Sequence, residues 1–259
     1  MKFRFDSYPT IYYDSEIPEV HDLEELRALR KWECALGYRI MAGMRWGQTG
    51  AGHITARDPI LTDHFWVLGF GVPFSDARME DLILMSPDGD VVEGPAGLGV
   101  NHAAYFIHHP ILAARPDVAS AVHCHTPFGT PWSTHVEPFR ALSQESCAFV
   151  FDQSIYEGED LEVVDTGGGA RIAAAMGGSK LCILRNHGLL TAAASPGIAV
   201  GWFVLAEHVA EVHIKAPAGQ AISDSAAREV ASALADPLVG WRTFHWLARN
   251  FVPDPSVVC

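Results

Sequence analysis

Ala119-Ser120-Ala121-Val122-His123-Cys124-His125 is a run of small and β-branched residues that ends on two imidazoles. With Val118 in front of it, the run predicts a strand over 118–125. Alternate side chains of a strand share a face, so His123 and His125 point to one side while Val118, Val122 and Cys124 point into the core. Two imidazoles on one face can reach one ion. The third candidate is His187, which follows the apolar run Leu181-Cys182-Ile183-Leu184 and precedes Gly188. A strand end followed by a glycine turn aims a side chain into a cleft. Three imidazoles leave coordination positions open, as a catalytic site requires. The pair alone is a weak signal. Thirteen histidines in 259 residues make chance pairs common, and His108-His109 is another. The competing reading is that His123 and His125 are ordinary hydrogen-bonded polar residues.

On the N-terminal side, residues 1–22 are aromatic and irregular and predict an arm lying on a domain that runs from 23 to 259. Asp22 opens a helical pattern through Leu26, Leu29, Cys34, Leu36 and Ile40, closed by Gly43, Gly47 and Gly50. Gly52–Arg57, Phe65–Leu68 and Asp81–Ser86 read as strands. With the turn Pro87-Asp88-Gly89-Asp90 and Val91-Val92-Glu93 they predict an antiparallel meander. A helix follows over 101–114, with Pro110 expected to kink it or split off its last turn.

Beyond the histidine strand, Leu142–Phe151 predicts a further strand. Gly167-Gly168-Gly169 leads into a short helix over 170–176, and Leu181–Leu184 reads as a buried strand. Ser195-Pro196 supplies an N-cap and an N1 proline for a long helix to Lys215. A last amphipathic helix carries Leu238, Trp241, Phe244, Leu247 and Phe251. Repeats and long linkers are absent, so the pattern is one α/β domain with a central, largely antiparallel sheet and helices on its faces.

Composition narrows the function. Hydrophobic residues make up 49% of the chain and charged residues 19%, which supports a sizeable core and argues against disorder. A net charge of -13 argues against nucleic-acid partners and against anionic membranes. The longest apolar run, Gly197–Ala206, is too short to span a bilayer and reads as a buried helix. The N-terminus shows no secretory signal. Five scattered cysteines without a Cys-x-x-Cys suit reduced thiols in a cytoplasmic protein.

The segment His109-Pro110-Ile111-Leu112-Ala113-Ala114-Arg115-Pro116-Asp117-Val118-Ala119-Ser120-Ala121-Val122-His123-Cys124-His125-Thr126-Pro127 resembles the core signature of the class II aldolase/adducin family. Leu184-Arg185-Asn186-His187-Gly188-Leu189-Leu190-Thr191 resembles its second signature. Gly52-His53-Ile54-Thr55, Gly69-Phe70-Gly71 and Asp81-Leu82-Ile83-Leu84 precede them in the expected order. The resemblance covers roughly residues 25–215. It implies an α/β/α sandwich, a tetramer with sites between subunits, and one divalent ion (Zn, Fe(II), Mn or Co) on His123, His125 and His187. Adducins share the domain but lack the metal histidines; their presence here favours an enzyme over an interaction module.

The chain departs from the family's sugar-phosphate aldolases. Those enzymes place a catalytic glutamate four residues before the histidine that aligns with His108, and that position is Ala104, which cannot move a proton. Their phosphate loops are replaced by the bulkier, more apolar Gly52-His53-Ile54-Thr55, Val67-Leu68-Gly69-Phe70-Gly71 and Val100-Asn101. A phosphorylated sugar is therefore disfavoured, and a small hydroxy- or oxo-acid with an aromatic or alkyl tail is expected. Phe70, Phe74, Tyr105, Phe128, Trp132 and Phe149 are aromatic candidates beside plain core packing. Substrate binding is assigned to His53, Phe70, Asn101 and Tyr105. Gln144, Glu145 and His108 are candidates to replace the glutamate, with His53 and His102 behind them. Arg185 and Asn186 are expected to orient His187. Three functions stand. The first is a lyase that cleaves a carbon–carbon bond by retro-aldol reaction or decarboxylation, the metal stabilising the enolate. The second is a non-haem Fe(II) oxygenase, as the resemblance to the family's aminocoumarin branch implies for prenylated hydroxyphenyl oxo-acids. The third is a metal-free adducin-like module.

Overall fold

Asp22 accepts a hydrogen bond from Glu25 N and starts α1 (Leu23–Gly43) in the computed structural model, which describes residues 4–12 and 15–259. Short runs broken by turns then give β1 (Gly52–Arg57), β2 (Phe65–Leu68), β3 (Leu82–Met85) and the exposed β4 (Val91–Glu93), the expected antiparallel meander. Asn101 caps α2 (His102–Ala114) by accepting from Ala104 N. Pro110 sits inside α2 without ending it. Having no N–H, it leaves the carbonyl of Phe106 without its helical partner. That carbonyl faces α4 (Thr166–Met176) at Gly169, where a Cβ would lie 1.8 Å from it. Only glycine admits this approach.

Strand β5 (Ser120–Cys124) carries the first histidine and leads to the short helix α3 (Gly129–Ser133). β6 (Gln153–Tyr156), β7 (Leu181–Leu184) and β8 (Gly188–Ala193) complete an eight-stranded sheet in the order β4-β3-β2-β1-β5-β8-β7-β6. β6 and β7 are parallel and the other pairs antiparallel. Ser195 and Pro196 start α5 (Pro196–Lys215), and α6 (Asp224–Leu234) and α7 (Pro237–Phe251) follow.

Helices α1, α5 and α7 cover one sheet face, sharing a core with Ile54, Val122, Cys124 and Leu189. Helices α2 and α4 cover the other, over Phe65, Val67, Ile83, Met85 and Leu190. The architecture is an α/β/α sandwich around a largely antiparallel sheet. The N-terminal residues cross α1 and α7: Trp32 Nε1 donates to Phe5 O (3.1 Å), and Tyr8 donates to Val252 O (2.7 Å). All five cysteines are free. Helix α5 is long and apolar enough to cross a membrane, but 72% of its most apolar stretch is buried in the protein, as in a core helix.

Several elements differ from expectation. Residues 142–151 form no strand; Glu145–Ala148 is a 3₁₀ turn, because Cys147, Ala148 and Phe149 are buried consecutively rather than alternately. The three glycines lie within the first turn of α4, where Asp165 caps Gly168 N. Val118 packs with the α2/α4 core, on the face opposite Val122. The strands β6 and β8 and the helix α6 have no counterpart in the sequence reading.

Candidate metal centre

His123 is the fourth residue of β5, paired with Leu190 of β8 on one side and His53 of β1 on the other. Its Nδ1–H donates to Leu189 O at 2.8 Å. That bond fixes the tautomer and leaves Nε2 as the lone-pair nitrogen. His125 lies just past the strand. The loop after it is clamped by the buried Glu207 of α5, which accepts from Thr126 Oγ1 (2.6 Å), Phe128 N (2.8 Å) and Gly129 N (2.7 Å).

His187 occupies the turn between β7 and β8. Asn186 takes a left-handed conformation (φ 56°), and Gly188 has φ 151°, so the chain reverses with His187 directed inward. A Cβ on Gly188 would come within 3.4 Å of His123 Cε1. Asn186 thus orients His187 through its backbone. Arg185 contributes a different link, donating to Glu157 O and pairing with Glu159 at 3.0 Å.

The three rings converge with centroids 5.3 Å (123–125), 4.7 Å (123–187) and 5.0 Å (125–187) apart. One ligating nitrogen from each lies within 4.8 Å of the others. Burial holds His123 well below the usual imidazole range, helped by the rings of His187, His53 and His125. Burial lowers His125 as well, and burial with the neighbouring His125 brings His187 down to about 4. Neutral imidazoles offering lone pairs are what a divalent ion needs. The donor set fits such an ion, and three ligands leave positions free for a substrate.

A cavity of about 330 Å³ surrounds the rings, and His53, Phe70, Asn101 and His102 help to line it. His53 Nδ1 lies 2.9 Å from His108 Nε2, and His108 Nδ1 lies 2.9 Å from Thr55 Oγ1. Burial depresses both His53 and His108 well below the usual range. His108 is therefore a fully engaged interior residue beneath His53 and does not border the cavity. Asn101 spends its carbonyl on the α2 cap and also borders the cavity.

Other expected residues lie elsewhere. The Tyr105 hydroxyl donates to Pro87 O (2.8 Å) and its ring stacks on His109, because its position on α2 faces the β3–β4 turn. Gln144 and Glu145 sit in a groove against α5 and α6, since their segment is a turn packed on those helices. Trp132 and Phe149 are core residues, and Phe128 packs against the core under Lys215. Ala104 is fully buried. Sequence reasoning missed the 157–165 loop, which brings Leu161, Glu162 and Val164 to the cavity rim; Glu162 is the carboxylate on that wall among the described residues. The exposed apolar pair Leu161 and Val164 in a loop was the available signal.

Residues 33–214 match the model of the class II aldolase and adducin N-terminal domain. The chain is 35% identical over 248 residues to 4-hydroxy-3-prenylphenylpyruvate oxygenase/4-hydroxy-3-prenylbenzoate synthase of Streptomyces roseochromogenus subsp. oscitans, covering 92% of this chain and 88% of that one. It is 33% identical over 237 residues to the decarboxylase NovR of Streptomyces niveus, covering 90% and 87%. Among solved structures, L-fuculose 1-phosphate aldolase from Glaciozyma antarctica PI12 superposes with a TM-score of 0.83 at 32% identity, covering 91% of this chain and 94% of that one. The three-histidine end of the sheet and these relatives lead to one statement: the chain belongs to the class II aldolase/adducin family.

Proposed function

We propose that this protein is a divalent-metal enzyme that decarboxylates a small aromatic 2-oxo- or 2-hydroxy-acid, with O2 as co-substrate. The observation that carries this reading is the converging set of three imidazoles with alanine, fully buried, at position 104. Retro-aldol cleavage must take a proton from a hydroxyl group and needs a positioned base. Carbon dioxide leaves without that step. The names of the two Streptomyces relatives, an oxygenase and a decarboxylase, agree with this choice.

His123, His125 and His187 would hold the ion. When bound, a divalent ion polarises a chelated pair of substrate oxygens, and iron(II) also supplies electrons for reaction with O2. The chain's own residues do the rest. Leu189 O holds His123 in its ligating tautomer. Glu207 fixes the loop behind His125. His53, held from behind by His108, borders the space a chelated acid would fill, and Phe70 and Asn101 border it beside the ring. The same reading has the enzyme as a homo-oligomer, a tetramer by family resemblance, working in the reducing cytoplasm.

A second reading, a retro-aldolase, draws on the fold match to the fuculose-phosphate enzyme. Protein purified without air and loaded with iron(II) should release carbon dioxide from 4-hydroxy-3-prenylphenylpyruvate and consume O2 in step. Carbon dioxide release under nitrogen would mark a non-oxidative lyase. Aldehyde release from L-fuculose 1-phosphate, with no decarboxylation, would overturn the proposal.

A further inference from the structure

A second cavity of about 500 Å³ lies against the metal cavity and shares Gly50, Gly52, Phe70 and Asn101 with it. Its volume is in the range of small-molecule sites, about 300–1,000 Å³. One wall is the end of α1 and the turn after it, with Tyr38, Ala42 and Trp46. The other is the 68–75 loop, with Leu68, Val72 and Phe74. Among the described residues no charged side chain lines it; Gln48 and Ser75 are its polar members beside Asn101. The Tyr38 hydroxyl is spent on Ile54, donating to its carbonyl (3.0 Å) and accepting from its N–H (2.8 Å).

Glycine-rich loops border this chamber, and such loops elsewhere cradle phosphate with free backbone N–H groups. Here four of those donors are used internally. Gly50 N donates to Gly47 O, Gly69 N to Asp81 O, Phe70 N to Gly99 O and Val72 N to Gly69 O. A chamber without charge, walled mainly by apolar side chains, suits an apolar guest. Phe70 stands between the two cavities, 59% exposed although it is a large apolar residue. An aromatic ring presented at such a junction offers a stacking surface.

We propose that this chamber receives the apolar substituent of the substrate, so that the acid end sits at the three histidines, the substrate ring passes over Phe70 and Asn101, and an alkyl tail lies between Tyr38, Ala42, Trp46 and Phe74. The inference rests on the function proposed above. It makes the chamber a determinant of which acids the enzyme accepts, and its lining offers a phosphate no cationic partner.

Equilibrium dialysis of the metal-loaded protein tests this with three probes: 4-hydroxyphenylpyruvate, its 3-prenyl derivative and 2-prenylphenol, which keeps ring and tail but lacks the acid. Burial of a five-carbon tail should make the prenylated acid bind about ten- to a hundredfold tighter than the plain one. Ala42→Phe and Val72→Phe each fill the chamber and should bring that ratio to about one; the loop variant carries the test if the helix variant does not fold. A ratio near one in the unmodified protein, or a ratio retained in folded variants, overturns the chamber while leaving the metal-site reading standing. If neither acid binds, the function proposed above fails, and 2-prenylphenol then decides. Its binding, lost in Ala42→Phe, supports the chamber. Its failure to bind, or its displacement by inorganic phosphate, overturns it.

Discussion

Two groups of imidazoles meet at the metal cavity, one on its wall and one beneath it, and they differ in what their second nitrogens touch. His123 spends one nitrogen on Leu189 O and converges with His125 and His187. His108, a few ångströms deeper, spends both, on His53 and Thr55. Burial strips the charge from both groups alike. Low proton affinity therefore does not separate a ligand from an interior polar residue here; the fate of the remaining lone pair does. His53 is intermediate, with one nitrogen tied to His108 and its ring on the cavity wall.

The comparison breaks most easily at His123. His123→Ala should lower metal content from one equivalent to none and turnover by more than about a thousandfold, read by elemental analysis and carbon dioxide release. Retention of a full equivalent of metal would dissolve the distinction. His108→Leu should do the opposite. It strands His53 Nδ1 in the interior, leaves Thr55 Oγ1 only its long bonds to Ala121 (3.4 Å), and costs about 1–3 kcal/mol in urea unfolding, with the metal retained. His53→Phe, between the two, should keep metal, cost about 1–3 kcal/mol because it strands His108 Nε2, and lower kcat/KM by about ten- to a hundredfold.

Carboxylates sharpen the same rule. Glu207 accepts three hydrogen bonds beside the metal loop. Glu33, fully enclosed, accepts from Gly197 N at 3.0 Å. Burial pushes its carboxyl up to about 7, against the pull of Gly197, Ser195 and Arg30. The folded protein then keeps a proton that the unfolded chain releases above its ordinary 4.5. The stability this contributes is present below about 4.5 and is lost as pH rises through 7. Unfolding at pH 5 and pH 8 should show a loss of about 2–3 kcal/mol from this group, absent in Glu33→Gln.

Much of this was legible in the chain. β1, β2 and β7 are short apolar runs between turns, and Ser195-Pro196 announces α5. The paired histidines follow from strand alternation. What stayed hidden lacks local periodicity or depends on distant contacts. Gln153–Tyr156 is short, half polar and held by parallel pairing to β7. Cys147, Ala148 and Phe149 form a short apolar run because α5 and α6 cover their turn, which imitates a buried strand. The fully buried face of α6 is a single alanine, Ala227. Tyr38 and Ala42 lie in α1 and Trp46 in the turn after it, and no spacing tells that they border the metal cavity's neighbour.

The burial of α5 has a consequence for how the chain is made. Its 20 residues have the hydropathy of a bilayer span, and they leave the ribosome before Trp241, Phe244 and Ala248 of α7, which close over them. Until synthesis passes those residues, the most lipid-like segment of the protein lacks the helix it packs against most. Nascent chains stalled between 216 and 236 are the ones that chaperones must hold, and fragments cut there should sediment with aggregates.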